Sequence, residues 1–422
     1  MKRRYFLPTV AAGLSAVRMA PAASDRVNVA VIGVRGRGRA LTGGFAKLAD
    51  ANVEYLVDVD DRVVPAAAAL LEKAGRKPPK VVRDMRRVFD DKSIDAVVIA
   101  TPDHWHAPAA IMACDAGKDV YLEKPCSHNI REGRLIVEAA RRNKRIVQHG
   151  TQSRSRESTR AAIDYIHAGN IGKVVMAKAW DVQRRADIGH KADSPVPADV
   201  DYDTWVGPAP FMAFNENRFH YNWHWHWNFG TGDAGNDGAH QIDMARWALG
   251  VELPTEAAGT GAKLYFEDDQ QTPDTINATF RYPGKMLMFE LRIWNPYGLE
   301  GVENGVAVYG GNGMVQIGKW DRLWGYKVYD EKGKLVKHEQ RPGEDEAHVR
   351  NFLDCVKSRK APNAEIEIGF RSVVHCHLAN IVARTGRTVH YDASTDSVTG
   401  DAEAAKLTRR TYRDHWSKPR GV

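Results

Sequence analysis

Three short runs constrain the fold of this chain more than any other feature. "VNVAVIG" (27–33), "VEYLVDVD" (53–60) and "IDAVVIATP" (94–102) are nearly continuous apolar stretches. Runs without polar alternation fit strands buried on both faces, which belong to parallel sheets covered by helices. Between them lie helix-compatible stretches, "GRALTGGFAKLA", "RVVPAAAALLEKAG" and "APAAIMACDAG", and the alternation continues through "KDVYLEKP", "REGRLIVEAARRN" and "RIVQHG". Strand and helix in turn predict an α/β doubly wound parallel sheet with right-handed crossovers.

The texture changes near residue 173. "KVVMAKAWDVQ", "TINATFRYPGKMLMFELRIW", "GVAVYGGNGMVQIG" and "YKVYDEKGKLVKHE" read as longer, alternating strands joined by Gly and Asn turns. They predict an α+β domain with a large, mostly antiparallel open sheet, one face of which is free for a partner. The apolar content of "KMLMFELRIW" makes that outer face a candidate contact between subunits. Helical spacing returns in "EDEAHVRNFLDCVKSRK" and "GFRSVVHCHLANIVARTG". The expected division is an export signal at 1–23, a nucleotide-binding domain at 24–150, an α+β substrate domain at 151–345, and C-terminal helices at 346–422 that pack back on both. A chain of 422 residues with 43% apolar content is long enough for two such cores.

The first residues, "MKRRYFLPTVAAGLSAVRMAPAAS", have a basic front, an apolar middle and small residues at the end. That is the layout of an export signal, and the paired Arg3 and Arg4 point to the twin-arginine route and a periplasmic or exported protein. The apolar run is too short to span a bilayer. Four of the positive charges lie in this segment, so the formal +7 falls to +3 without it, and no nucleic-acid module accompanies it. The four cysteines are far apart with no C-x-x-C pair, which argues against a zinc site.

The turn after the first strand reads "GVRGRGRA". It places Gly33, Gly36 and Gly38 where a tight turn and a helix start let backbone amides meet a pyrophosphate. Asp58 closes the second strand, where a carboxylate accepts hydrogen bonds from an adenosine ribose and repels a 2′-phosphate. NAD is therefore the expected cofactor. Arg37 and Arg39 keep NADP as the alternative, since a guanidinium in this loop pairs with that phosphate.

Ligands of such sheets bind beyond the carboxyl ends of the strands, where "VVIATPDHWHA" and "VYLEKP" both end. Thr101, Pro102, His104, His106, Glu123 and Lys124 are accordingly candidate lining of a nicotinamide pocket. Downstream, "GTGDAGNDGAHQIDMARWALG" carries Asn236, His240 and Asp243 at one-face helical spacing, with Asp237 beside Asn236. Such a face presents an imidazole to a substrate hydroxyl while a carboxylate holds its other nitrogen. In "RFHYNWHWHWNFG" an extended chain would put Trp223, Trp225 and Trp227 on one face and His224 and His226 on the other, a wall suited to sugar rings. No third ligand accompanies the two histidines, so no metal is expected.

"EKP" after a dinucleotide-binding half, "TPDHWH" before it and a His-bearing glycine-rich helix after it resemble the Gfo/Idh/MocA oxidoreductases. The resemblance covers essentially the whole chain after the leader. It implies a Rossmann domain, with Lys124 contacting the reacting hydroxyl and the nicotinamide, and His240 exchanging the proton. It also implies a dimer or tetramer built through the open sheet. Many sugar and inositol dehydrogenases of that family carry aspartate where this chain has Asn236, which orients but takes no proton.

The leading expectation is an NAD(P)-dependent oxidoreductase acting on a sugar, glycoside or cyclitol, with tightly held cofactor. A second is an NAD-dependent glycosidase that transiently oxidises C3, as relatives of that family do. A third is a non-catalytic sugar-binding protein on the same fold.

Overall fold

The computed structural model describes residues 26–342 and 346–413. The predicted leader, 1–23, lies outside the described residues.

The three constraining runs form the centre of a six-stranded parallel sheet. β1 (Val27–Ile32), β2 (Ala51–Val57), β3 (Lys80–Val82), β4 (Ala96–Ile99), β5 (Asp119–Leu122) and β6 (Val147–His149) lie in the order β3-β2-β1-β4-β5-β6. Helices α1 (Gly36–Ala46), α2 (Val64–Lys73), α3 (Arg86–Asp90), α4 (Asp103–Asp115) and α5 (Ile130–Asn143) connect them. The strand order reverses between β1 and β4, which opens a crevice at their carboxyl ends. Every residue of β4 and β5 is buried, as unalternated apolar runs require.

After α6 (Glu157–His167) the chain builds a ten-stranded sheet. Its strands are β7 (Val174–Val182), β8 (Glu256–Ala262), β9 (Thr275–Tyr282), β10 (Lys285–Arg292), β11 (Asn304–Gly310), β12 (Gly313–Trp320), β13 (Leu323–Asp330), β14 (Leu335–Arg341), β15 (Val389–Asp392) and β16 (Ser397–Thr399). The order is β14-β13-β12-β11-β7-β10-β9-β8-β15-β16. Only β7 and β10 pair in parallel. The short helices α7 (Tyr202–Val206) and α8 (Gly232–Asn236) and the longer α9 (Gly238–Leu249) interrupt the strands between β7 and β8.

Alternation along β10 buries Leu287, Phe289 and Leu291, and α9 packs against this strand. The outer face differs from the apolar surface expected of "KMLMFELRIW". Met286 and Met288 share it with Glu290 and Arg292, and Lys178 of β7 pairs with Glu290 at 3.6 Å. The apolar residues of that segment are the inward half of an alternating strand, so its composition overstated the outer face. Farther along, Trp180, Val182, Val302 and Ala307 form a small separate core, with Leu299 packed against it.

The C-terminal helices α10 (Glu346–Ser358), α11 (Ile366–Thr385) and α12 (Ala402–Lys406) return to both sheets. Phe352 of α10 meets Phe45 of α1 and Tyr121 of β5 edge-on, at ring-centroid distances of 6.3 and 5.8 Å. The long helix α11 runs between α5 on one side and β8 and α9 on the other. All four cysteines are buried free thiols. No helix among the described residues is long and apolar enough to cross a membrane.

Candidate active site

A cleft of about 290 Å³ follows the carboxyl ends of β1, β2, β4 and β5. Its nucleotide end is set by backbone packing. Gly33 holds φ +80°, and a Cβ at Gly38 would fall 1.7 Å from the Gly33 carbonyl oxygen, so only glycines let α1 start this close to the loop. A Cβ at Gly36 would meet nothing within 4 Å. No side chain caps α1, which leaves first-turn amides for an anionic group.

Asp58 stands at the end of β2 and lines the cleft, as expected. Its carboxylate also braces the loop, accepting from the Val34 amide at 2.8 Å and the Asp60 amide at 3.0 Å. Burial pushes its pKa up to about 6 against the opposing pull of those amides. Thr101 and Pro102 line the same cleft, and Thr101 Oγ1 is buried with no hydrogen-bond partner. An uncapped helix start, an open glycine and an orphaned hydroxyl together fit a dinucleotide.

Arg37 lines the cleft, yet its Nε is held by Glu123 Oε1 at 2.7 Å, so it braces the turn that carries Lys124 where a phosphate contact was expected. Burial would raise the Glu123 pKa, but the charges of Arg37 and Lys124 bring it down to about 2. His104 is corrected more strongly. It is fully buried, with Nε2 2.9 Å from the Trp205 carbonyl and Nδ1 3.3 Å from that of Phe229, so it ties α4 to neighbouring loops and lies outside the cleft wall. His106 does reach the wall, with Nδ1 2.6 Å from the Pro125 carbonyl and Nε2 2.8 Å from that of Thr101. Burial holds the ring's pKa low, and a neutral ring has one N–H, so it donates to one of these two carbonyls and lies close against the other.

Lys124 extends from the end of β5 across the cleft to α8. Its Nζ donates to the Asn236 backbone carbonyl at 2.6 Å and to Asn236 Oδ1 at 2.7 Å. An ammonium has three donors, so one remains for a ligand. Asn236 Nδ2 donates in turn to Asp233 Oδ1 at 2.7 Å, which fixes the amide with its oxygen towards Lys124. This explains asparagine at 236, since an aspartate there would set two carboxylates against each other.

Behind Asn236 lies a group that the sequence reading missed. Arg185 grips Asp233 at 2.9 and 3.0 Å and reaches Asp237 Oδ2 at 2.7 Å, while Gln183 reaches Asp237 at 2.8 Å and Asp181 at 2.7 Å. Asp237 Oδ1 is 4.0 Å from Lys124 Nζ, placing this carboxylate between the two cations. Burial would raise its pKa, yet Lys124 and Arg185 hold it well below the carboxylate range. Asp181, Asp233 and Asp237 bring carboxylate oxygens within 4.8 Å of one another. The guanidinium of Arg185 supplies the positive charge to this cluster, and burial pushes the pKa of Asp181 well up. The signal available in the sequence was the i, i+4 pair Asp233 and Asp237, which calls for a cation.

The helix expected to carry Asn236, His240 and Asp243 on one face is divided at Asp237. His240 is half-buried; its amide donates to the Asp237 carbonyl at 3.0 Å, and its ring makes no hydrogen bond among the described residues. Burial, then the charge of Lys124, lower its pKa to about 4. Asp243 does not orient it. That carboxylate is fully buried and accepts from Arg154 at 2.8 and 2.9 Å and from Ser372 at 2.6 Å, joining α9 to the segment after β6 and to α11.

The aromatic stretch is not extended. His220–Trp225 is a 3-10 turn, where residues three apart eclipse, so the expected tryptophan face does not form. A Cβ at Gly230 would fall 2.6–2.7 Å from backbone atoms of Trp223 and His224, a measure of how tightly the chain doubles back. Trp225 is consequently core, 2% exposed, whereas Trp223 and His224 line the cleft. His224 Nδ1 lies 2.5 Å from the Tyr221 carbonyl, which makes that nitrogen the donor and leaves Nε2 as an acceptor. Burial lowers its pKa to about 3. Arg35, Arg83, Trp205 and Tyr221 also line the cleft and were not foreseen.

Comparison with known proteins agrees with this geometry. Residues 27–151 match the oxidoreductase family with NAD-binding Rossmann fold, and residues 176–283 and 326–418 match the C-terminal alpha/beta domain of the same family. A glycosyl hydrolase family 109 protein from Shewanella sp. (strain W3-18-1) is 30% identical over 142 residues, 33% of this chain and 31% of that protein. The chain thus matches about a third of the length of such curated relatives. Among solved structures, an aldose-aldose oxidoreductase from Caulobacter crescentus complexed with glycerol superposes with a TM-score of 0.66 at 18% identity, covering 86% of this chain and 99% of that one. The WlbA dehydrogenase from Bordetella pertussis, in complex with NADH and UDP-GlcNAcA, gives 0.65 at 18% identity over 87% of this chain and 99% of that one. At that identity the two structures speak for the fold. With both of its domains matched, the chain belongs to the Gfo/Idh/MocA oxidoreductase family.

Proposed function

We propose that this protein oxidises a hydroxyl of a sugar, glycoside or cyclitol, with NAD as a tightly held cofactor. The observation that carries the reading is the fixed Lys124 ammonium, two of whose donors are spent on Asn236 at 2.6 and 2.7 Å while the third is free in the cleft. Gly36, Gly38 and the uncapped α1 start would hold the pyrophosphate, and Asp58 the ribose. Bound NAD supplies the hydride acceptor.

Lys124 orients the substrate oxygen and stabilises the negative charge that grows on it as its proton leaves. Two neutral imidazoles are candidates to take that proton. His224 presents a free Nε2 at the cleft wall, and His240 lies within the fields of Lys124 and Asp237. Burial keeps both rings neutral at pH 7 but weak as bases, so proton transfer to either needs the imidazolium to be stabilised as it forms, which the Asp237 carboxylate does for both. Trp223 offers an apolar face to a sugar ring.

A second reading is a glycosidase that oxidises its substrate transiently and reduces it again. It is favoured by the curated relatives named as glycosyl hydrolase family 109 proteins, 30–36% identical over about a third of their length. The two readings separate in one assay, in which the protein is offered free sugars and nitrophenyl glycosides. Reduction of the held NAD by free sugars, up to one NADH per chain, supports the oxidoreductase; nitrophenol release without net NADH supports the glycosidase. Neither signal from any compound in either set, with NAD bound, overturns both.

The paired Arg3 and Arg4 ahead of an apolar run support a periplasmic or exported location, in which a retained cofactor would be reoxidised by a second substrate. The partly exposed outer face of β10, where Met286 and Met288 alternate with Glu290 and Arg292, supports a homodimer or homotetramer assembled through the large sheet.

A further inference from the structure

A second cavity, of about 190 Å³, shares no lining residue with the active-site cleft. It lies between the start of α5, the Trp227–Thr231 loop, α11 and the segment after α12. Its chemistry is one-sided. Arg384, Arg409 and Arg410 all line it, and no carboxylate does.

The Arg384 guanidinium stacks over Trp227 at 4.5 Å and has no anionic partner among the described residues, and Arg409 likewise forms no ion pair there. Arg410 donates through Nε to Glu132 at 2.7 Å and through Nη2 to the His104 carbonyl at 2.7 Å, but its buried Nη1 has no acceptor. Two asparagines, each at most 5% exposed, are half-used in the same way. Asn380 Nδ2 donates to the Thr231 carbonyl at 2.7 Å while its Oδ1 is orphaned, and Asn129 Oδ1 caps α5 while its Nδ2 is orphaned. Neither ring nitrogen of His128 has a partner.

Buried polar atoms left unpaired are costly, and here several belong to residues that line one polar cavity, which calls for a ligand to pair them. Guanidinium forks match the paired oxygens of carboxylates and phosphates. We infer that this cavity is a binding site for a small oxyanion-bearing molecule, separate from the NAD cleft. Arg384 and Arg409 would clamp the anion at the mouth, while Arg410 Nη1 and Asn129 Nδ2 would donate from the floor. Asn380 Oδ1 would accept from a hydroxyl on the same ligand. Such space admits about six waters at ~30 Å³ each, enough for a phosphate or carboxylate on a short polyol.

The test is calorimetric titration of the full chain, saturated with NAD so that the pyrophosphate site is filled. Inorganic phosphate and acetate are the separate probes, at constant ionic strength. Saturable binding of one anion per chain is expected, with Arg384→Ala and Arg409→Ala each weakening it about tenfold. Both variants keep the parent NAD affinity; Arg409→Ala, at an exposed side chain with no ion pair among the described residues, also keeps the parent melting temperature, while Arg384→Ala melts slightly lower for loss of its stack on Trp227. Preference for phosphate assigns a phosphorylated ligand, and preference for acetate a carboxylic acid. No saturable binding of either anion, or binding unchanged in the Arg384→Ala, Arg409→Ala double variant, overturns the inference.

Discussion

At the scale of single residues, the site is a chain of hydrogen bonds running from Asp233 through Asn236 to Lys124. Each link limits the next. Asp233 accepts from the Asn236 amide, so the amide oxygen must face Lys124, and the ammonium is left with one free donor. Lys124→Met should therefore lower turnover roughly a thousandfold while NAD still binds. In the same variant the imidazole of His240, held at about 4 by burial and then by the lysine charge, should titrate at higher pH, which imidazole NMR reads directly. Asn236→Asp places a carboxylate beside Asp233, and one of the two must bind a proton before both fit. Its activity should fall about tenfold or more at pH 7 and recover in part as the pH is lowered. A flat pH response in this variant would remove Asp233 from the account.

At the scale of elements, the sequence was most legible where patterning is strict. The buried runs of β1, β2 and β4 announce the parallel sheet, and the glycines after β1 announce the nucleotide loop. Lys124 was found because a strand end fixes where its side chain emerges. Two of the failures share a cause. Asp243 and His240 share a helix, but one-face spacing cannot say what faces that helix, and Arg154 and Ser372 claim Asp243 from segments 89 and 129 residues away. His104 was lost in the same way to carbonyls of Trp205 and Phe229. Trp225 failed for a local reason, because alternation in sequence becomes alternation in space only if the chain is extended, and here it turns as a 3-10 helix. Asp243→Ala leaves the Arg154 guanidinium buried and unpaired, so it should cost about 3–5 kcal/mol in denaturant unfolding. The activity per folded molecule should stay within about twofold of the parent.

At the scale of the whole molecule, several histidines are buried and neutral. Burial brings His104, His149 and His375 to about 3, and His348 and His377 to about 4. Their unfolded value is 6.5, so between that pH and about 4 the unfolded chain binds more protons than the folded one. Stability is thus full above pH 6.5 and is lost as pH falls towards 4, and melting temperature measured against pH should drop steeply across that window. The central claim concerns the cleft at the carboxyl ends of the parallel strands, where loop, carboxylate and lysine are arranged around one cofactor. It is tested most directly by denaturing the purified protein, with no nucleotide added beforehand, and identifying what is released. The account predicts NAD in a ratio near one per chain. A protein that releases no nucleotide and also fails to bind added NAD would contradict it.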